Sequence, residues 1–355
     1  MVPIFGDLSL RSMDTPSDQR PTLSVALCTY NGATYLREQW ASLLAQEWLP
    51  DEVVVSDDGS TDGTIALLQE LSQTAPFRVT SLTNHKPLGY NGNFEKAIAA
   101  CTGDLVFLCD QDDAWLPHKT RTLASYLLNN PQHDVVFGNA TVADAHLTPT
   151  NRQFWDVVRF SNHDQQAWQA GEALHVLLNG NRVMGCAMAF RQSFRARALP
   201  IPANVPGGYV YDGWLALVAA ATNQIGFVAE PLQLYRTHPH QQIGVLPPDA
   251  GPPVRLRDRF NRDRQLKLAP FKQQQACWQT LLSMLVARVG PQAIELPQLQ
   301  HRINHVAMRA ALPDARLLRL LPVMQHLLTG RYHRYADADA NRLAPYVAAA
   351  GDLLE

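Results

Sequence analysis

Asp110-Gln111-Asp112-Asp113 follows directly on the apolar run Leu105–Cys109, and carboxylates in that position suit a particular chemistry. Residues two apart in an extended segment point the same way, so Asp110 and Asp112 can face one divalent cation or one ribose. A hard cation held by one or two carboxylates keeps sites open for phosphate oxygens, which is how a diphosphate is neutralised. The competing reading is an acidic turn capping the next helix, because aspartate is favoured at helix N-termini. The strand-end position, with Trp115, Leu116 and Pro117 following, weighs for the ligand role.

Asp57-Asp58-Gly59-Ser60 closes a Val-rich run in the same way. Turn and cap chemistry accounts for Gly59 and Ser60, but not for two adjacent carboxylates. Asp58 can accept a hydrogen bond from the imide N–H of a nucleobase. Thr29-Tyr30-Asn31-Gly32 opens a helix, and Tyr30 offers a ring for stacking. Arg236 and His238 lie beyond a later strand, where a cation or a third metal ligand could meet a diphosphate. Lys119 and Lys96 are further phosphate candidates, although helix lysines are usually solvated. Gly185 and Cys186 are small enough to lie under a ligand, or simply to pack in the core.

The elements that position these residues are legible as an alternation. Strand-like runs at Leu23–Cys28, Glu52–Ser56, Phe77–Leu82, Leu105–Cys109 and Val135–Gly138 are interleaved with helical stripes. Leu36, Trp40, Leu43 and Leu44 form one stripe, Ile65, Leu68 and Leu71 a second, and Phe94–Ala100 a third. Pro117 suits the first turn of the next helix. This order predicts an α/β fold with a parallel sheet, helices on both faces, and ligands outside the carboxyl ends of the strands. Residues 183–190 and 225–229 read as further strands, and Asp212–Ala221 as a helix. Residues 140–180 show no clear period.

A hydrophobic fraction of 46% and a charged fraction of 17% describe a chain able to bury a core, and a net charge of −2 gives no bulk case for nucleic acid. The five cysteines lack a CxxC pair, as expected of a reduced, intracellular protein. The sequence divides into a loose polar leader (1–21), a main domain (22–244) and a helical C-terminal region (245–355) beginning at Pro247, Pro248, Pro252 and Pro253. There, Arg255, Arg257, Arg259, Arg262, Arg264 and Lys267 form a basic run. Residues 316–335 form an apolar-basic stretch that suits either an anionic membrane surface or packing on the domain or a dimer partner. Pro322, read as an interruption, favours packing. No run of about 20 apolar residues is present, and the expected location is cytoplasmic, or peripheral at the inner face of the plasma membrane.

As a set, Thr29–Gly32 (TYNG), residues 57–64 (DDGSTDGT), Asn93, Phe94, Ala97, Gly103 and Asp104, and residues 110–119 (DQDDAWLPHK) resemble the family 2 glycosyltransferases of GT-A fold over about residues 23–240. With GCAMAF, YDGW and YRTH downstream, the chain is most similar to bacterial rhamnosyltransferase-like members that build cell-surface polysaccharides. The resemblance implies a Rossmann-like mixed, mostly parallel sheet and a divalent metal, Mg²⁺ or Mn²⁺. It implies a nucleoside diphosphate sugar donor, with dTDP-rhamnose expected, and a glycan or lipid-linked glycan acceptor. Thr29, Tyr30, Asn31, Asp58, Asn93, Asp110, Lys119 and Arg236 then form the nucleotide-sugar set, and Asp112, Asp110 and His238 the metal set. Asp112 is the favoured direct ligand and Asp113 a helix-start residue.

Asp212, in a Tyr-Asp-Gly-Trp sequence where the family carries Glu-Asp, is the implied general base. A sugar-nucleotide or glycan-binding module without turnover is the alternative, against which Asp110, Asp112 and Asp212 argue. A nucleotidyltransferase would carry a Gly-rich loop after the first strand, which residues 29–36 lack. Peripheral membrane contact and homo-oligomerisation stay open.

Overall fold

The computed structural model describes residues 20–239, 241, 264–336 and 342–354. Most of the expected leader, His240, the proline-marked linker and Arg255, Arg257, Arg259 and Arg262 lie outside those residues.

The first strands are apolar on both faces, which dictates a sheet covered twice. All seven residues of β1 (Leu23–Thr29) are buried, as are all of β2 (Glu52–Asp57) and β4 (Leu105–Cys109). Side chains alternate across the sheet: Leu23, Val25 and Leu27 enter one apolar cluster, Ala26 and Cys28 the other. Helix α1 (Leu36–Leu44) covers the first face with Leu36, Trp40 and Leu43, α2 (Thr64–Ser72) adds Leu68, and α4 (Lys119–Asn129) adds Leu123, Ala124 and Leu127. Helix α3 (Gly89–Ala100) covers the second with Phe94, Ala97 and Ile98. It starts before the expected Phe94, because Gly89, Tyr90 and Gly92 carry no apolar period to read.

β1 pairs parallel with β2 and β4, and β3 (Arg78–Thr83) pairs parallel with β2. Beyond β4 the sheet becomes mixed. β8 (Met188–Arg191) runs antiparallel to β4 and to β6 (Val135–Ala143), while β6 runs parallel to β9 (Ile225–Arg236). With β5 (Ala114–Trp115) and β7 (Pro149–Gln153) the full order is β3-β2-β1-β4-β8-β6-β9-β5, with β7 beside β6. The expected strand over 183–190 shortens to Met188–Arg191, because Gly185–Ala187 forms a 3₁₀ turn. β5 (Ala114–Trp115) and β7 (Pro149–Gln153) escape sequence reading. The first is two residues long, and every residue of the second is exposed.

The helix Tyr211–Ala221 is buried on every side. It shares a core with α3 and with Trp278, Leu281 and Leu285 of the helix Arg264–Val289. A smaller cluster of Leu312, Val323, Tyr332 and Ala349 joins the helices Arg316–Leu328 and Ala344–Leu354. Pro322 lies inside the former without ending it, contrary to the expected interruption.

Glu52 ties the start of β2 to its neighbours. Its carboxylate accepts from Ser24 Oγ, from Thr102 Oγ1 at 2.9 Å and from Gly103 N at 3.2 Å, and pairs with Arg78. Burial alone would raise its pKa, but the hydrogen bonds from Ser24, Thr102 and Arg78 outweigh it and hold the group at about 2. A depressed carboxylate contributes stability that is present above its ordinary value of 4.5 and is lost as pH falls towards 2. We expect Glu52→Gln to lower stability at pH 7 by about 1–2 kcal/mol, because the exposed Arg78 side of the pair is screened by solvent. Urea denaturation should show the difference from wild type narrowing as pH drops below 4.5.

Candidate functional site

Loops at the carboxyl ends of β1, β2 and β4 meet through side-chain to backbone bonds. Asp57 accepts from Gly59 N at 3.1 Å and Ser60 N at 2.8 Å, closing its own turn, and takes the Thr29 hydroxyl at 2.7 Å. Gly59 has φ +84° there, a conformation that disfavours other residues. Asp57 therefore serves the turn, and Asp58 reaches further. Its carboxylate accepts from Leu88 N at 2.7 Å, Gly89 N at 2.9 Å and Asn84 Nδ2 at 3.0 Å, fixing the start of α3. Asn93 sits behind, accepting from Asn84 and donating to Thr29 O.

Gln111 joins the first loop to the acidic cluster. Its Oε1 accepts from Tyr30 N at 2.8 Å and its Nε2 donates to Tyr30 O at 3.0 Å. This two-point bond imitates a strand pair and fixes the Tyr30 backbone while the ring stays 40% exposed. Nothing in the sequence distinguishes Gln111 from a spacer between two aspartates.

These loops rim a cavity of about 460 Å³. Thr29, Tyr30, Asp58, Asn93, Asp110, Asp112 and Asp212 all line it, from five separate stretches of chain. Tyr90, Asn181, Tyr211 and Tyr235, which sequence reading did not single out, line it as well. Of these, Tyr211 had a signal in its place before Asp212; it stacks on Phe94 with centroids 3.9 Å apart.

Four expected site residues are placed behind the wall. Asn31 faces the second loop, its Oδ1 accepting from Thr61 N at 2.8 Å and its N–H donating to Ser60 Oγ at 2.8 Å. Lys119 is fully buried, its ammonium donating to Cys186 O and Gln233 Oε1 at 2.5 Å each and lying 3.7 Å over the Trp115 ring. Burial lowers its pKa to about 8. It is a core cation, not the phosphate contact expected of a helix lysine. Arg236 is 1% exposed and spends its guanidinium on Asp112 O, Ala145 O and Glu38. It therefore positions the acidic loop rather than meeting a diphosphate. His238 Nε2 stands 2.9 Å from Asp112 Oδ2, its ring against Tyr35.

Asp113, expected at a helix start, instead accepts from Gln233 Nε2 at 2.9 Å and Arg236 N at 3.0 Å, bonding the cluster to β9. Ligand atoms of Asp110, Asp113 and Cys186 lie within 4.8 Å of one another. Burial and the neighbouring charges of Asp112 and Asp113 push the Asp110 pKa well up. Burial and Asp112 raise Asp113 to about 7. The Cys186 thiol is also raised by burial, so it is a poor anion. This crowding of carboxylates fits a divalent cation, and of the three acids Asp110 and Asp112 line the cavity.

Asp212 heads its helix with 9% exposure. It accepts from Gly185 N at 3.0 Å, Gly213 N at 2.5 Å and Asn181 Nδ2 at 3.1 Å. Burial raises its pKa to about 6 against those three bonds. Gly185 is required here: a Cβ would come within 2.3 Å of Tyr211 Oη.

The Gln111 bond is directly testable. Gln111→Ala should speed hydrogen exchange at the Tyr30 amide and cost about 1 kcal/mol of stability. Gly32→Ala should do the same with Gln111 still present, because the added Cβ would stand 2.1 Å from Gln111 Oε1.

Residues 24–195 match the family described as Glycosyl transferase family 2. A Mycobacterium tuberculosis protein, Rv1520, is 26% identical over 220 residues, covering 61% of this chain and 59% of its own. The chain thus spans about 59% of the length of the first curated relatives it matches. The dTDP-rhamnosyl transferase RfbG of Shigella flexneri is 30% identical over 108 residues, 29% of this chain and 37% of that protein. Among solved structures, the mannosyltransferase PcManGT from Pyrobaculum calidifontis, in complex with GDP-Man and Mn²⁺, aligns over 96% of this chain and 91% of its own. That alignment has a TM-score of 0.48 and 18% identity. The loops after β1, β2 and β4 fall inside the matched segment, so the site-bearing segment 24–195 is that of glycosyl transferase family 2, with a fold of the GT-A type.

Proposed function

We propose that the protein is an inverting glycosyltransferase that moves a sugar from a nucleoside diphosphate donor to a saccharide or lipid-linked saccharide acceptor. The donor we propose is dTDP-rhamnose, and the setting cell-surface polysaccharide synthesis. One observation carries this reading: the carboxylates of Asp110 and Asp112 share a single cavity with Asp212, whose pKa of about 6 suits a base. The rhamnosyl assignment draws on the sequence resemblance and the Shigella relative.

In the proposed reaction the acceptor oxygen attacks the anomeric carbon of the donor. Its proton passes to Asp212, and the bond from the anomeric carbon to the diphosphate oxygen breaks. Asp212 is aimed by Gly185 N, Gly213 N and Asn181, so the carboxylate waits in one orientation. Tyr30 offers a ring face and Asp58 a carboxylate to the nucleobase, with Asn93 and Thr29 supporting that wall. A bound Mg²⁺ or Mn²⁺, held by Asp112 and Asp110 with His238 beside Asp112, would neutralise the departing diphosphate. Residues 22–244 carry the site in this reading, and 245–355 contact acceptor, membrane or a second copy. The location proposed is the cytoplasm or the inner face of the plasma membrane.

Titration of dTDP-rhamnose, UDP-glucose, UDP-GlcNAc and GDP-mannose with and without Mn²⁺ tests the donor. We expect metal-stimulated binding with dTDP-rhamnose preferred; failure of every donor to bind would sink the reading. Asp112→Asn should remove the metal stimulation. Asp212→Asn should keep donor binding and lower transfer by about 10²–10⁴-fold. Since Asp212 must be unprotonated to accept a proton, wild-type turnover should rise as pH climbs through about 6 and then level, a limb absent from the variant's residual rate.

A further inference from the structure

The helix Arg316–Leu328 is inside out. Its buried residues are Arg319, Val323 and His326. Its outward face carries Leu317, Leu318, Leu320, Leu321, Met324 and Leu328, with exposures from 36% at Met324 to 88% at Leu317. Leu317, Leu321, Met324 and Leu328 follow one another by four, three and four residues, a continuous stripe along one side of a helix. The polar groups that ordinarily face water point inward. Arg319 donates to Pro313 O at 2.7 Å and Asp314 O at 2.9 Å, and His326 Nδ1 meets His305 Nδ1 at 3.0 Å. The packed helix Ala344–Leu354 adds the exposed side chains of Tyr346 and Val347. A contiguous apolar patch of this kind marks an interaction surface.

Charge decides between occupants. From Ala315 to Ala336 the sequence has no acidic residue, while it has Arg316, Arg319, Arg331 and Arg334. Arg316 is exposed, two residues after the exposed Asp314, whereas Arg334, also exposed, pairs with Glu172 at 3.2 Å. A second copy seated on the stripe would bring the same arginines to it, with no carboxylate from this segment to receive them. An anionic bilayer offers hydrocarbon to the leucines and phosphate to Arg316 beside them. No helix among the described residues is long and apolar enough to cross a membrane. We infer that this face lies in the plane of an anionic lipid surface, as a reversible anchor. The inference goes beyond the sugar-transfer reading and requires no turnover.

The test is sedimentation of the full chain with vesicles of phosphatidylcholine, and of phosphatidylcholine mixed with phosphatidylglycerol. Binding should favour the mixture by about tenfold. Leu317→Ser, Leu321→Ser and Leu328→Ser combined should abolish it while leaving thermal melting unchanged, because these side chains are exposed. Leu317→Ser alone reads the same loss at smaller size if the triple variant folds poorly. Arg316→Glu should weaken binding to the mixture only. Absence of wild-type binding, or binding that survives the serine variants, overturns the inference. So does a solution dimer that the serine variants convert to monomer without any loss of vesicle affinity.

Discussion

Four buried carboxylates around the cavity, those of Asp57, Asp58, Asp113 and Asp212, are held by backbone N–H groups, and those bonds place the loops. An isolated buried carboxylate would be costly, and charge-assisted bonds from the main chain offset that cost. The dependence runs both ways. The start of α3 is where Asp58 finds its donors, the end of β9 is where Asp113 finds one, and the turn at Gly185 is where Asp212 finds another. Removing a carboxylate would therefore free a loop as well as a charge.

Asp110 belongs to a different regime. Its environment is set by other acids and by a raised thiol, and the buried ammonium of Lys119 is committed to Cys186 O and Gln233. The site is consequently short of positive charge on its cavity side. That local deficit distinguishes Asp110 from Asp57, whose carboxylate is consumed by its own turn.

The parallel half of the sheet was legible because its strands are apolar on both faces, so β1, β2 and β4 match the runs read from sequence to within a residue. The carboxylates were legible for a related reason: a strand that ends in acids points them at the carboxyl edge. Partner identity was not legible. Lys119 and Arg236 read as cations that could meet a phosphate, yet both are buried, Lys119 under Trp115 of β5 and Gln233 of β9 and Arg236 against the Asp112 carbonyl, and a two-residue strand leaves no period in the sequence. Gln111 was invisible as a connector, since its role lies in the direction of one amide. Pro322 misled because a helix of 13 residues can carry a proline internally.

The bond between Gln111 and Tyr30 has a consequence for how such a chain can drift over generations. Gly32 lies so close to the Gln111 amide that any side chain at position 32 would occupy the same space. A methyl at 32 requires the Gln111 amide to swing aside, and a chain that makes that shift surrenders the tie on Tyr30. Substitutions at the two positions, far apart along the chain, are therefore expected to act non-additively.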